Sequence, residues 1–518
     1  MYLPIVFGFE VYNEIPIFIG FFYKFVEQAL KYNWTIISQE KYFEDPIIIE
    51  KKYNYSIEKC LEIHEVSSMN KEILNKVKKY IIPEEIGNEI INMSGSIDNA
   101  WINLMNKEYE ALKQYLKATI KTILNKNEIK AILVWRHNES ISAVAKELNI
   151  SVIEMEFSTI RKNYYNENIS YFQFSNKFSN KEFTKRLNNY KKGKKFKYIL
   201  TRKEILALFL KKDYLNYIVK LEQPEIYDYG VALGLKKDFE AKSMNCMENI
   251  DTINFSLNMS NKKNILFRPH PSSESQLPKD INIDSSENSI EFILKCRRII
   301  SCLSNISFEA MLYGKTSYVL GTMPYDVVAI KNSVEEESVV SLDILNYILF
   351  GFYAPYSIML EKEYLDFRME NPSEFEIYKK HFEYYIEKKC ISKKVLNLNG
   401  TKRFSKILEG LNYYNILKQI KIGKNDFYQE NIDNLKKIQI CEEKNYILKR
   451  ELHNIKSYNE KLQNELKNIK NRNEILKQQM SETELELNNC HETISKILNS
   501  KSWKITAPFR KLKISKKS

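Results

Sequence analysis

The sequence lacks the clustered cysteines of a disulfide scaffold or a zinc module. Its seven cysteines are scattered over 518 residues, and no two stand in a Cys-x-x-Cys spacing. Small disulfide-stabilised domains and structural zinc sites both need such clusters. We therefore expect a protein of a reducing compartment that folds around apolar cores. At roughly 100–200 residues per domain, the chain has room for two or three domains.

Long apolar runs are also missing. Residues 1–26 are apolar overall, but Glu10, Glu14 and Lys24 interrupt them and no basic segment precedes them, so they do not resemble a signal peptide. The longest uncharged stretch, residues 344–360, is 17 residues long and contains Pro355. That length is at the lower limit for a membrane span, so a buried core helix is the better interpretation. We expect a cytoplasmic protein.

The positive charge is concentrated at one end of the chain. The formal net charge is +13, and residues 501–518 contain seven Lys or Arg and no acidic residue. This distribution favours an anionic membrane surface as the partner of the tail and argues against nucleic acid as a partner of the whole chain. Trp503 and Phe509 among these cations are typical of a bilayer interface. A disordered solubilising tail is the alternative.

Strand-length apolar runs alternate with helical patterns in two regions. The first region is predicted to form a strand, a helix and a strand at 129–135, 140–148 and 151–156. The second is predicted to form strand, helix, strand, helix and strand at 264–268, 289–296, 298–302, 304–313 and 316–320. Such alternation predicts parallel sheets with right-handed crossovers. We therefore expect an α/β protein with two Rossmann-like domains facing across a cleft, at 1–215 and 216–345.

The remainder of the chain is predicted to be helical. Residues 346–434 form a helical extension without a recognisable motif, residues 435–498 a coiled coil, and residues 499–518 the basic tail. A 4,3 spacing of mainly apolar residues runs unbroken from 441 to 497. Three of its a positions are occupied by Asn445, Asn459 and Asn473. Buried asparagines at a positions favour a parallel dimer. One long helix folded against its own domain is the alternative.

Two elements of the second region could bind a phosphate. Arg268 and His270 end a predicted strand, where open α/β sheets bind ligands, and prolines on both sides of His270 fix its backbone. The imidazole could donate to a phosphate oxygen, and Arg268 could add a permanent charge. A purely structural histidine is the alternative.

The second element is the start of the helix predicted at 304–313. Ser304 and Asn305 are good helix caps, and the free N–H groups of a helix N-terminus attract phosphate. Glu309 on the first turns could accept hydrogen bonds from two ribose hydroxyls. An ordinary cap with a solvated glutamate is the alternative. Together the two elements outline a pocket for a nucleoside mono- or diphosphate.

Residues 265–328 resemble the nucleotide-sugar domain of the capsule polysaccharide biosynthesis family. The resemblance lies in Ile-Leu-Phe-Arg-Pro-His-Pro, in Ser-Cys-Leu-Ser-Asn-Ile-Ser-Phe-Glu-Ala and in Met-Pro-Tyr-Asp-Val-Val. It implies a GT-B fold and a retaining β-Kdo transferase that uses CMP-Kdo. It also implies that His270, Ser304 and Asn305 hold the donor phosphate and that Glu309 binds the ribose. Arg268 stands where the family has lysine, and Asn305 where it has threonine.

An earlier segment is similar to the acidic loop of the same family. In the family this loop has the pattern Glu-x-Gly-x-x-Arg, and here the run is Glu-Met-Glu-Phe-Ser-Thr-Ile-Arg, from Glu154 to Arg161. The resemblance implies that Glu156, or as second choice Glu154, is the base or nucleophile facing the donor. The family glycine is missing, and a surface Glu-x-Glu pair is the alternative. Gln223 and Glu225 lie in a segment similar to the family's interdomain loop.

These observations predict a glycosyltransferase that assembles capsule or lipopolysaccharide at the inner face of the cytoplasmic membrane. Its predicted partners are a nucleotide-sugar donor, most simply CMP-Kdo, a glycan or glycolipid acceptor, and a second copy of the chain. Because Asp-x-Asp is absent, no metal or other cofactor is expected. Residues 500–510 are similar to a terminal segment of bacterial surface-polysaccharide glycosyltransferases. The alternatives are a transferase for a UDP-hexose, CMP-sialic acid or CDP-glycerol, and a catalytically inactive coiled-coil scaffold.

Overall fold

The structure is a computed structural model, and it describes most of the chain. The described residues are 1–9, 14–53, 56–158, 160, 162–174, 180–234, 247–270, 277–278, 281–302, 304–321, 328–329, 339–411, 463, 470, 473–474 and 476–500. The chain divides into two units, Met1–Ile416 and Leu417–Ser518, and each is described by itself below.

The first unit contains two β-sheets. Its strands are β1 Tyr2–Val6, β2 Thr35–Gln39, β3 Lys78–Ile82, β4 Ala131–Trp135, β5 Ser151–Phe157, β6 Ile169–Phe174, β7 Tyr227–Ala232, β8 Ile265–Arg268, β9 Asn282–Ile283, β10 Cys296–Ser301, β11 Thr316–Val319 and β12 Ala354–Pro355. The predicted strands of both regions are confirmed to within two residues at each end.

Helices connect and cover these strands. They are α1 Glu14–Tyr32, α2 Pro46–Tyr53, α3 Glu58–His64, α4 Lys71–Asn75, α5 Glu84–Ser94, α6 Ile97–Asn106, α7 Glu110–Leu124, α8 Glu139–Glu147, α9 Asn180–Lys192, α10 Arg202–Phe209, α11 Asn216–Lys220, α12 Asn249–Met259, α13 Ser289–Lys295, α14 Ile306–Leu312, α15 Leu342–Tyr347, α16 Lys362–Met369, α17 Glu374–Lys388 and α18 Gly400–Gly410. Short 3-10 turns lie at Glu40–Phe43, Lys212–Tyr214, Lys262–Asn264 and Val395–Asn397. Gly314, just past α14, has φ +77°, the left-handed conformation that favours glycine after a helix.

The first sheet has the order β12-β6-β5-β4-β1-β2-β3. Strands β1 to β5 pair in parallel, and β6 and β12 add antiparallel pairs at one edge. The order β3-β2-β1-β4-β5 is that of a doubly wound sheet, in which the strand order reverses between β1 and β4. Ligands of such sheets bind at the carboxyl ends of the strands beside this reversal.

The second sheet repeats the same order. Its strands run β11-β10-β7-β8-β9, and the pairs along it are parallel. The reversal lies between β7 and β10. The prediction of two Rossmann-like sheets in one chain is therefore confirmed, and each sheet has one edge where a ligand site is expected.

The segment after the second sheet returns to the first. Strand β12 pairs with β6, with Ala354 opposite Ser170. Helix α16 buries Tyr364 and Leu365 in the apolar core beneath the first sheet. Two elements of the residues predicted as a helical extension, β12 and α16, thus belong with the first sheet, and their sequence gives no local sign of this long-range pairing.

The uncharged stretch 344–360 is buried, but it is not one helix. It comprises the end of α15, a π-helical segment at Ile348–Phe352 and strand β12. In the described part of the chain, no helix combines the length and the apolar character needed to cross a membrane.

Four cysteines of the described part of the chain, Cys60, Cys296, Cys390 and Cys490, are free thiols. A disulfide bond at Cys302 departs from the expectation of a reducing compartment.

In the second unit, residues 476–499 are helical. Apolar residues assigned to the coiled-coil seam are exposed on this helix, with Leu476 at 56%, Leu487 at 57% and Ile494 at 52%. Most of the predicted coiled coil, including Asn445 and Asn459, lies outside the described residues, as do tail residues 501–518. The coiled coil and the membrane contact of the tail stay predictions.

Candidate active site

A pocket of about 310 Å³ lies at the carboxyl edge of the second sheet. Its lining comes from the ends of β7 and β8, the start of α14 and the loop between β5 and β6. The lining residues are Asn163, Tyr164, Tyr165, Ala232, Leu233, Arg268, Pro269, His270, Ser289, Ser304, Asn305, Ile306 and Glu309. The structure thus brings together the five residues predicted to bind the nucleotide, beside the reversal of strand order between β7 and β10.

The histidine and the helix start supply neutral donors. Burial lowers the pKa of His270 below its ordinary value, so the imidazole is uncharged at neutral pH and carries one N–H. The Ser304 hydroxyl accepts from the Ile306 N–H at 3.3 Å, so this serine caps α14. Asn305 has φ −54° and makes no capping bond with its side chain. Of the two residues predicted as caps, Ser304 is therefore the one that acts as a cap.

Arg268 lines the pocket with its charge already compensated. Its guanidinium donates to the Asp284 carboxylate and, at 3.1 Å, to the Ser286 carbonyl oxygen. The Asp284 side chain is fully buried. This ion pair ties the end of β8 to the residues after β9. The permanent charge that Arg268 was expected to add for a phosphate is thus already paired with Asp284.

Glu309 is buried in the pocket, so the alternative of a solvated surface glutamate is wrong. Its side chain accepts a hydrogen bond from the Tyr165 hydroxyl at 2.6 Å. Burial raises the pKa of the carboxyl above its ordinary value, although the hydrogen bonds from Tyr165 and Ser289 oppose this shift. The carboxyl oxygens of Glu309 can accept hydrogen bonds from hydroxyl groups of a ligand.

Three consecutive pocket residues from the first sheet were missed by the sequence analysis. Asn163, Tyr164 and Tyr165 follow the acidic segment, in the loop that joins β5 to β6. The Tyr164 ring meets the ring of Tyr214 edge-on, with centroids 5.3 Å apart. It therefore offers a fixed aromatic surface beside the pocket. The pair of tyrosines so soon after the acidic segment was the signal available in the sequence.

The two candidate acids lie on β5 in different environments. Glu154 is fully buried, with His137 Nδ1 at 2.5 Å and Gln173 Nε2 at 3.4 Å. The Glu156 side chain is 18% exposed and accepts from Arg136 Nε at 2.6 Å. Glu156 is therefore the acid that a substrate can reach, and Glu154 is part of the interior.

Two further predicted site residues, Gln223 and Glu225, are not brought to the pocket. Arg161 lies outside the described residues. Gln223 and Glu225 precede β7, at the amino edge of the second sheet, where Glu225 pairs with Lys315 Nζ at 2.9 Å. The pocket lies at the opposite, carboxyl edge. Among the residues that the structure describes, no group of three or more His, Cys, Asp or Glu is placed to hold a metal ion.

Comparison with known proteins gives one family match. Residues 5–182 match the model of the glycosyltransferase 99 family N-terminal domain. This segment includes β1 to β6 and both candidate acids. No curated protein matches the sequence.

The chain also matches solved structures, all at low identity and low TM-score. The β-Kdo 2,7 transferase of KpsC from Thermosulfurimonas dismutans is 15% identical, with 48% of this chain and 88% of that chain covered at a TM-score of 0.30. The β-Kdo 2,4 transferase of KpsC from the same organism is 12% identical, with 38% of this chain and 70% of that chain covered at a TM-score of 0.27. The UDP-GlcNAc 2-epimerase of Methanocaldococcus jannaschii is 15% identical, with 70% of this chain and 93% of that chain covered at a TM-score of 0.26.

These TM-scores are low, so the assignment depends on the family match. Residues 5–182 are similar to the N-terminal domain of the glycosyltransferase 99 family, and this match supports the expectation that the chain is a glycosyltransferase.

Proposed function

We propose that this glycosyltransferase moves Kdo or a related acidic sugar from a CMP-activated donor to a growing capsule or lipopolysaccharide glycan. The observation that carries the proposal is the pocket of the second sheet. Arg268, His270, Ser304, Asn305 and Glu309, predicted from sequence as the donor site, line this single pocket. The proposed donor follows from the family resemblance of these residues.

In this proposal the donor phosphate lies between His270 and the start of α14. The His270 N–H and the Ser304 and Asn305 side chains donate to its oxygens, and these bonds strengthen as charge develops on the leaving nucleotide. Glu309 accepts from the ribose hydroxyls at the buried side of the pocket. Tyr164 presents its ring to the nucleobase, since aromatic faces stack on any base. None of these roles requires a metal ion.

Glu156 is the proposed acid at the carboxyl edge of the first sheet. It supplies a carboxylate either as the base for the acceptor hydroxyl or as the nucleophile. Glu156 is close in sequence to the donor site, because Asn163 on the pocket wall follows it by only seven positions. Glu154 is the second candidate, and its burial argues against it.

Calorimetry with CMP, UDP, CDP and GDP tests the donor. We expect CMP to bind most tightly, and a ligand at 100 times its Kd to stabilise the protein by about 2.7 kcal/mol. His270→Ala should weaken CMP binding about ten- to hundredfold, since a hydrogen bond to a charged group contributes about 1.5–3 kcal/mol. His491→Ala, at an exposed histidine of the second unit, is the matched control.

The outcomes separate the alternatives. Tightest binding of UDP would replace the proposed donor by a UDP-hexose. Transfer of glycerol phosphate from CDP-glycerol also releases CMP, so turnover of CDP-glycerol, and none of CMP-Kdo, would replace the donor by CDP-glycerol. Tight CMP binding with turnover of CMP-sialic acid, and none of CMP-Kdo, would change the sugar. If no nucleotide binds to the wild-type chain, the proposed pocket is wrong.

A further inference from the structure

The turn that follows β4 binds three consecutive residues at the end of β5. The backbone N–H of Arg136 donates to the Met155 carbonyl oxygen at 3.0 Å. The Arg136 side chain donates from Nε to Glu156 at 2.6 Å, and His137 Nδ1 lies 2.5 Å from Glu154 Oε1. One main-chain and two side-chain contacts thus fix the segment that carries the proposed acid.

His137 lies between two carboxylates. Its Nε2 is 3.0 Å from Glu139 Oε2, at the start of α8, and its side chain is 4% exposed. An ionised carboxylate only accepts hydrogen bonds, so an imidazole bonded to two of them donates from both nitrogens and carries a positive charge. The neutral amide of Gln173 on β6 also donates to Glu154, at 3.4 Å.

Electrostatics agree with this geometry. Burial lowers the pKa of His137, but the hydrogen bonds and charges of Glu154 and Glu139 outweigh burial and raise the pKa above its ordinary value. Glu154 faces His137 from β5 and Glu139 faces it from α8. The imidazolium is therefore favoured relative to that of a free histidine, and it is lost when the pH rises through the raised pKa.

The backbone of the turn is strained. Arg136 has φ +67°, a left-handed conformation that is unfavourable for a residue with a side chain. Such a conformation persists only where the surrounding contacts hold it. The contacts of His137, the next residue along the chain, anchor the turn to both β5 and α8.

We propose that His137 is a positioning residue for Glu156. Its imidazolium, bridging Glu154 and Glu139, holds the turn in the strained conformation that directs Arg136 at the Glu156 carboxylate. His137 need not contact the substrate, because it acts through Arg136. The inference rests on the proposed function in one respect, the assignment of Glu156 as the reacting acid.

A labelling experiment tests the positioning without any donor. The intact protein is treated with a carbodiimide and an amine, and modification of Glu156 is followed by mass spectrometry. His137→Gln should speed the modification of Glu156 several-fold, because the ion pair with Arg136 loosens. His381→Gln is the control, since His381 is also fully buried and bonds the neutral Tyr364 hydroxyl at 2.8 Å. It should leave the labelling unchanged.

The pH profile of CMP release from CMP-Kdo supplies a second measurement. Wild-type turnover should fall as the pH rises through the raised pKa of His137 and the imidazolium loses its proton. In His137→Gln this alkaline limb should disappear and kcat should drop on the order of 10²-fold, the typical effect of a misplaced catalytic group. CMP affinity should stay unchanged, since His137 does not line the nucleotide pocket.

Two results would overturn the inference: wild-type labelling of Glu156 in His137→Gln, or an alkaline limb that the substitution leaves in place. Failure of CMP to bind the wild-type protein would instead refute the proposed function. In that case the labelling result still decides whether His137 positions Glu156.

Discussion

The hydroxyl of Tyr165 donates to the buried carboxyl of Glu309 across 2.6 Å, although the two residues are 144 positions apart. Tyr165 belongs to the loop between β5 and β6, and Glu309 to α14 beside the predicted phosphate site. Both side chains are almost fully buried, at 1% and 6% exposure. The bond therefore joins the segment after the acidic strand to the wall of the nucleotide pocket.

Tyr165→Phe should destabilise the fold and weaken nucleotide binding together. The substitution leaves a buried carboxyl with one donor fewer, at a cost of about 1–3 kcal/mol in the free energy of unfolding. Urea unfolding and CMP calorimetry measure the two effects. Tyr353→Phe is the matched control, because the Tyr353 hydroxyl donates to the neutral Tyr171 hydroxyl at 3.2 Å. Equal CMP affinities in both variants would contradict a role of Tyr165 in the pocket.

CMP binding should be accompanied by proton uptake at His270. Burial lowers the pKa of this imidazole in the free protein, whereas a bound phosphate favours the charged form and raises the pKa. Affinity should therefore increase as the pH falls from the bound-state pKa towards the free-state pKa. Calorimetry in buffers of different ionisation enthalpy measures the uptake. His270→Gln should abolish it and His491→Gln should not. Uptake that survives in His270→Gln would assign the proton to another group.

The two acids of β5 should respond differently to the same substitution. Glu156→Gln should leave the fold and CMP binding intact while turnover collapses. Glu154→Gln should lower the free energy of unfolding by about 3 kcal/mol, since it breaks a fully buried pair with His137. Thermal unfolding and CMP-Kdo turnover separate the two. Loss of turnover in a stable Glu154→Gln protein would exchange their roles.

The individual strands and helices were predictable because the spacing of apolar residues follows the period of each element. The apolar run of β5 was expected at 151–156 and is found at Ser151–Phe157, since strand length and flanking polar residues define it. The donor pocket was predictable for a similar reason. Parallel strands end at a common edge, so the loops after β8 and β10 must lie close together whatever the rest of the chain does.

Contacts between distant segments were not predictable. Tyr165 and Glu309 carry no sign of each other in the sequence, and neither do β6 and β12. The choice between the two acids of β5 also lay beyond the sequence. Residues two positions apart point to the same face of a strand, so the pattern does not distinguish the two acids. In the structure, Glu154 is the buried one and contacts His137 on the neighbouring turn.

The basic tail should bind anionic membranes. Deleting residues 499–518 should shift the protein from vesicle pellets to the supernatant, because each basic residue near such a surface contributes about 1 kcal/mol. Added salt should mimic the deletion by screening. A variant with the seven tail cations changed to Gln isolates charge from the apolar contribution of Trp503 and Phe509. Sedimentation of the deletion variant at the wild-type level would refute the prediction.

The C-terminal heptads should join two copies of the chain in parallel. The described helix at 476–499 exposes Leu476, Leu487 and Ile494 along its predicted seam, and such residues are normally buried by a partner helix. Light scattering should therefore give a dimer for the full chain and a monomer for a truncation at residue 435.

Asn473→Leu provides the sharper measurement. It should raise the thermal stability of the assembly and broaden its oligomeric state, because a buried asparagine at an a position specifies the dimer at a cost in stability. A monomeric full-length chain would leave the seam without a partner and refute the coiled coil. A dimer that survives truncation at residue 435 would place the interface in the first unit.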